Sequence, residues 1–170
     1  MTKNIIWASI FILVAGILQS TLLRPLGIYF YAIPDLTLSI LVYTAYINGS
    51  MTGQLTGFFS GILLDFLSAA PLGLNIFIRT IIGAANGVIK GRFFLDLIFL
   101  PMILCAAASL LKAALFFALH FLFAGAVPAY SLSSPVLWVE LLFNTVTAPF
   151  LFAFLKMFDS LLKKTQHGEA

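Results

Sequence analysis

Four ionisable residues, Asp65, Arg79, Lys112 and Glu140, stand inside long apolar runs of this 170-residue sequence. An ionised group alone in hydrocarbon costs several kcal/mol, so such residues face the interior of a helix bundle and pair, or line a polar cavity. Asp65 and Arg79 flank a Pro71-Leu72-Gly73 turn signal and are the expected first pair, a salt bridge across a helical hairpin. Lys112 lies near the middle of its run, too deep to snorkel. Glu140, with Asn144 one turn further on, lies early in the next run. Helices joined by a short connection tend to be neighbours, so Lys112 with Glu140 is the expected second pair. The four together predict a polar patch inside the bundle. Buried membrane charge marks a functional site by default, and it equally can fix which helices pair.

Catalysis needs a nucleophile, a base or a metal set within mutual reach. The sequence has no Gly-x-Ser-x-Gly, no His-Glu-x-x-His and no paired aspartates at helical spacing. His120 and His167 are far apart, and His120, near the end of its run, reads as an ordinary amphipathic interfacial residue. Cys105 is the only cysteine and sits in "ILCAAAS", so it forms neither an intrachain disulfide nor a metal cluster and reads as a small packing residue. No catalytic residue, metal site or cofactor is expected.

The elements that would position these charges carry a glycine pattern. Counting outward from Leu72, Gly53 mirrors Gly91, Gly57 mirrors Gly87, Gly61 mirrors Gly83, and Asp65 mirrors Arg79. Residues four apart share an inclined ridge of a helix, so each half of the mirror is one ridge. Glycine on such ridges lets two backbones approach closely, and inclined ridges cross at an angle. With the turn at Pro71 and Gly73, mirrored residues are expected at equal depth in a close-packed antiparallel pair.

Composition says where such a hairpin lives. Apolar residues make up 62% of the chain and charged residues 9%, too few polar groups to coat a soluble domain. Mean hydropathy is +1.10. A crossing takes ~20 apolar helical residues. Six segments qualify as spans: Ile5–Leu23, Ile33–Met51, Gly53–Ala70, Leu74–Ile89, Leu97–Gly125 and Pro135–Phe158, with 159–170 as a cytoplasmic tail. The runs are continuous rather than alternating, which disfavours a β-barrel. Six spans with both ends cytoplasmic put Lys3, Lys90, Arg92, Lys156, Lys163 and Lys164 inside and Arg24 alone outside, as positive charge distributes in membrane proteins. The basic tail suits anionic headgroups. Lys3 and the run after it also resemble a secretory signal, but no small-x-small cleavage site precedes Arg24-Pro25, so a retained first helix is expected. No basic face with interleaved aromatics suggests a nucleic-acid partner. The fold class is all-α: a single polytopic bundle.

The stretch "GFFSGILLDFLSAAPLGLN" at 57–75 resembles the signature of the MreD family, the rod shape-determining membrane proteins of bacteria. Glycine, aromatic, glycine, Asp65 and Pro71-Leu72-Gly73-Leu74 follow its order and spacing. Pro34-Asp35 at the start of the second span and Gly83 and Gly87 leading to Lys90 resemble it too. Asn75 and Arg79 stand where the family pattern is more neutral. The resemblance implies a fold like the substrate-binding membrane subunits of energy-coupling-factor transporters. It implies residence in the bacterial cytoplasmic membrane and partnership with MreC, a single-span membrane protein, and through it with MreB, RodA and the RodA-associated transpeptidase. The implied role is a non-catalytic scaffold of side-wall peptidoglycan synthesis. The rival is a small-molecule-binding subunit of such a transporter, with the polar patch as binding site and "AVPAYSLSSP" (126–135) as a short lid. A partner helix would dock on the glycine rows or on "CAAAS" at 105–109, and the sequence does not choose between them.

Overall fold

The computed structural model describes residues 2–23, 25, 27–68, 70–91, 98–123, 127 and 134–163. Arg24, Arg92 and Lys164 of the charge asymmetry, nearly all of the expected lid and most of the tail lie outside these residues.

Among the described residues the chain is helical, with no strand. Helix α1 (Thr2–Leu18) runs on through a π-helical turn (Gln19–Leu23) to a short α2 (Gly27–Phe30). There follow α3 (Leu36–Asn48), α4 (Ser50–Leu67), α5 (Leu74–Val88), α6 (Phe99–Leu122), α7 (Pro135–Lys156) and a single turn, α8 (Asp159–Leu162). Three segments, Lys3–Leu23, Phe99–Leu122 and Pro135–Lys156, are long and apolar enough to cross a membrane. Helices α3 and α5 are apolar but shorter, at 13 and 15 residues. Helix α4 has 18 residues but carries Thr52, Gln54, Thr56, Ser60 and Asp65.

Helix α3 is the axis of the bundle. Apart from Leu36 and Ile47 every residue in it is buried, and it packs on α1, α4, α5, α6 and α7. A helix covered on all sides needs no amphipathic face. The others do: α1 turns Ala8, Ile12 and Ala15 inward and leaves Ile6, Ile10 and Ile17 outside, and α7 leaves Trp138, Leu142, Phe150 and Phe154 outside. So much exposed apolar surface belongs against lipid. At the end of the bundle that holds the α1 N-terminus, Tyr43 donates its hydroxyl to Asp159 and packs edge-on to Phe152, while Asn48 Nδ2 donates to the carbonyl of Leu162. These contacts fold α8 back onto α1 and α3.

Gly49 alone separates α3 from α4, with φ +98° and ψ 177°, a conformation open only to glycine. Helices α4 and α5 are the most closely packed pair. A Cβ at Gly53 would overlap the carbonyl of Gly83, and one at Gly83 the carbonyl of Gly53. Gly57 lies on the backbone of Arg79, Gly61 on that of Asn75 and Ile76, and Gly87 on that of Ser50. The close seam is therefore present, but its register differs from the mirror about Leu72. Gly53 meets Gly83, not Gly91, about two turns away. The reason is the connection: α4 stops at Leu67, well before Leu72, while α5 begins just after it, so the reversal is centred several residues early. Gly91 takes no part in the seam. It lies in the turn beyond α5 at φ +71° with open space where a Cβ would be.

Gly57→Leu should force the α4 and α5 backbones apart and lower stability by about 3 kcal/mol or more, at the upper end of overpacking costs because the clash is with main chain. Thermal unfolding of the purified protein in detergent measures this, and an unchanged melting temperature would contradict the seam.

Candidate functional site

Pro34 and Asp35 end an extended approach to α3, and Asp35 is its N-cap, its side chain accepting from the amide of Leu38 at 3.0 Å. Capping is what Asp does well at a helix start, where the first amides have no partner. Here the cap residue is also buried, and the same carboxylate gathers charge from across the bundle. Arg79 Nη2 of α5 donates to both its oxygens, at 2.8 and 2.7 Å. Lys112 Nζ of α6 donates to Oδ2 at 2.9 Å and to Glu140 Oε1 of α7 at 2.6 Å. Thr37 Oγ1 donates to Oδ1 at 2.8 Å. Two carboxylates face two cations, so the cluster is neutral as a whole.

Neutral groups extend it. Arg79 Nη1 donates to Ser60 Oγ of α4 at 3.0 Å. The Asp35 amide donates to Asn144 Oδ1 of α7, and Asn144 Nδ2 donates to Ser109 Oγ of α6. The Leu36 amide donates to Gln19 Oε1 in the π-helical turn after α1. Residues 35 and 36 are thus tied to α1, α5, α6 and α7 directly and to α4 through Arg79. At this depth each of these polar groups would be costly without a partner, and each has one.

Of the four charged residues expected from the sequence, Arg79, Lys112 and Glu140 come together, and Lys112 pairs with Glu140. Asp65 stands apart, and the Asp65–Arg79 bridge does not form. The Asp65 carboxylate accepts from the Gly73 amide at 2.7 Å and from the Asn75 amide and Nδ2 at 3.0 and 2.9 Å. It therefore caps the first turn of α5, where unpaired amides and the helix dipole both favour an anion. Gly73, at φ +96°, turns its N–H toward this carboxylate, and the Pro71 carbonyl accepts from the Leu74 amide. Arg79, more than a turn deeper, reaches α3 instead. Asp35 is the residue the charge count missed. Two pairs already balanced, so nothing demanded a fifth charged group. The available signal was an aspartate after proline opening an apolar run. His120 Nδ1 meets the Val127 carbonyl at 2.8 Å, away from the cluster, and Cys105 is buried in the core.

The cluster borders a cavity of about 240 Å³ lined by Gln19, Ala32, Ile33, Asp35, Lys112, Val136 and Glu140. Arg79 and Asp35 are nearly sealed, with 3% and 6% of their side chains accessible, against 17% for Lys112 and 13% for Glu140. Lys112, Glu140 and Asp35 therefore form the charged wall of the cavity, and Arg79 lies behind it. Among the described residues, no serine, histidine or cysteine lines this cavity to act as a nucleophile, and no three metal-ligating side chains group together.

The family model for the rod shape-determining protein MreD matches residues 1–158. No curated protein and no solved structure matches the chain.

Removing one member of a buried pair strands the other, so Asp35→Ala should destabilise the protein by about 3–5 kcal/mol. Asp65→Ala should cost only about 0.5–2 kcal/mol, the scale of a lost helix cap. Unfolding of the two variants side by side checks the ranking, and the reverse order would put the central ion pair at Asp65.

Proposed function

The chain belongs to the MreD family of rod shape-determining membrane proteins, and from that premise we propose that it is a non-catalytic scaffold of the bacterial cell-elongation machinery. In this reading it binds MreC and, with MreB, RodA and its transpeptidase, supports side-wall peptidoglycan synthesis. The observation that carries a structural role is the use of charge: Asp35, Arg79, Lys112 and Glu140 bind one another and join helices, rather than converging on a reacting atom. A scaffold that receives a partner's helix must hold a fixed outer shape, and a neutral, satisfied ion cluster at its axis serves that. The docking face would present small residues or shape-matched Phe and Leu. Because the α4–α5 seam occupies its own glycines, the outer faces of the other helices are favoured over it.

The same reading places the chain in the cytoplasmic membrane with six crossings and both ends inside, in an arrangement like the substrate-binding subunits of energy-coupling-factor transporters. Helices α3 and α5 are short for a crossing, and burial of α3 within the bundle relieves it of any need to match the lipid thickness. The alternative, a small-molecule-binding subunit of such a transporter, has the cavity beside Lys112 and Glu140 in its favour.

Native mass spectrometry of the protein extracted gently from its own membranes separates the two. A stoichiometric complex with MreC is expected; a bound metabolite together with ATP-binding-cassette subunits would replace the scaffold by the transporter. Reporter fusions at Thr2 and after Lys163 should both report the cytoplasm, and a reporter at Gly73 the opposite side; reporters at the two ends on opposite sides would exclude six crossings.

A further inference from the structure

A second cavity, of about 170 Å³, adjoins the first. The two share Gln19 and Ile33 as lining, and the second is walled mainly by Gly16, Leu64 and Leu67. Their sizes together fall in the lower part of the ~300–1,000 Å³ range of ligand sites. Both are partly open, and both lie at the end of the bundle where α1 and α4 finish and α3 and α7 begin. The cleft therefore has two chemically different halves along the π-helical turn that begins at Gln19. One half offers an ammonium and carboxylates within an ion pair's reach of each other. The other is mainly apolar, with Ser20 and Ser68 also in its lining.

We propose that this cleft is a specific site for a membrane lipid with a zwitterionic head, of the phosphatidylethanolamine kind. The charges select the head. A purely anionic head would approach Lys112 but would also meet Asp35 and Glu140, and a purely cationic one would meet Lys112. A phosphate joined by a short arm to an ammonium can lie along the Lys112–Glu140 ion pair with its negative group beside Lys112 and its positive group beside Glu140, adding to that pair without breaking it. The apolar half beside Leu64 and Leu67 takes the start of an acyl chain. The proposal needs only that the chain resides in a bilayer, and it stands or falls independently of the scaffold reading.

Native mass spectrometry of the full-length protein in detergent, titrated with phosphatidylethanolamine, phosphatidylglycerol or soluble glycerophosphoethanolamine, tests it. One phosphatidylethanolamine per chain should be retained, about tenfold more tightly than phosphatidylglycerol. Val136→Phe, which narrows the charged half while replacing no member of an ion pair, should abolish that preference while the melting temperature in lipid-free detergent stays put. Glu140→Gln should weaken retention of phosphatidylethanolamine more than that of phosphatidylglycerol. Equal retention of both lipids, with Val136→Phe without effect, would mean annular lipid only and overturn the site. Glycerophosphoethanolamine binding as tightly as the lipid would overturn the lipid assignment, because the apolar half would then contribute nothing.

Discussion

The Asp35 carboxylate accepts from a guanidinium, an ammonium, a hydroxyl and a backbone amide, all inside a bundle whose outer surface is largely hydrocarbon. In such surroundings water cannot substitute for a missing partner, so the helices that bring Arg79 and Lys112 to Asp35 are held to one arrangement. Lipid tails are as apolar as leucine and favour no particular helix pairing. The ion cluster supplies what apolar contact cannot, which is a choice among packings. Its position at the start of α3 matters, since α3 touches every other long helix.

The glycine seam and the ion cluster depend on each other. Gly57 lies on the main chain of Arg79, and Ser60, one turn further along α4, receives the second guanidinium nitrogen. Close approach of α4 to α5 is therefore what sets the depth and direction from which Arg79 reaches Asp35. Asp65 closes the same hairpin at its end by accepting from the main-chain amides of Gly73 and Asn75 and from Asn75 Nδ2, leaving Arg79 for the interior. Two acidic residues near the same end of the bundle thus do different work because one faces a helix start of its own hairpin and the other faces the cations.

The opposite end is secured by single hydrogen bonds rather than by a cluster of ion pairs. Asn48 joins the carbonyl of Leu162 to Asn4, and its own carbonyl accepts from Lys90, so α1, α3, α8 and the segment after α5 meet at one residue. With both ends of α3 fixed, the lipid-facing sides of α1, α6 and α7 are presented as rigid surfaces. A fixed outer surface of this kind is compatible with a rod shape-determining membrane protein.

Residue types and runs alone determined that this chain is helical and membrane-embedded, because 62% apolar composition in continuous runs permits little else. They also determined that α4 and α5 pack closely, since small residues at four-residue spacing leave a smooth ridge wherever the helix lies, and that Lys112 meets Glu140, since adjacent helices bring them together. Register and partner choice were decided only by the tertiary structure. Symmetry about Leu72 promised Asp65 to Arg79, but helix ends depend on where hydrogen bonding stops, and α4 stops early, at Leu67. That leaves Asp65 at the amides of the next helix and Arg79 facing α3. Asp35 is distant from Arg79 and Lys112 in sequence, and no local periodicity carries information across such a separation. Only the packing of all the helices around α3 makes the three neighbours.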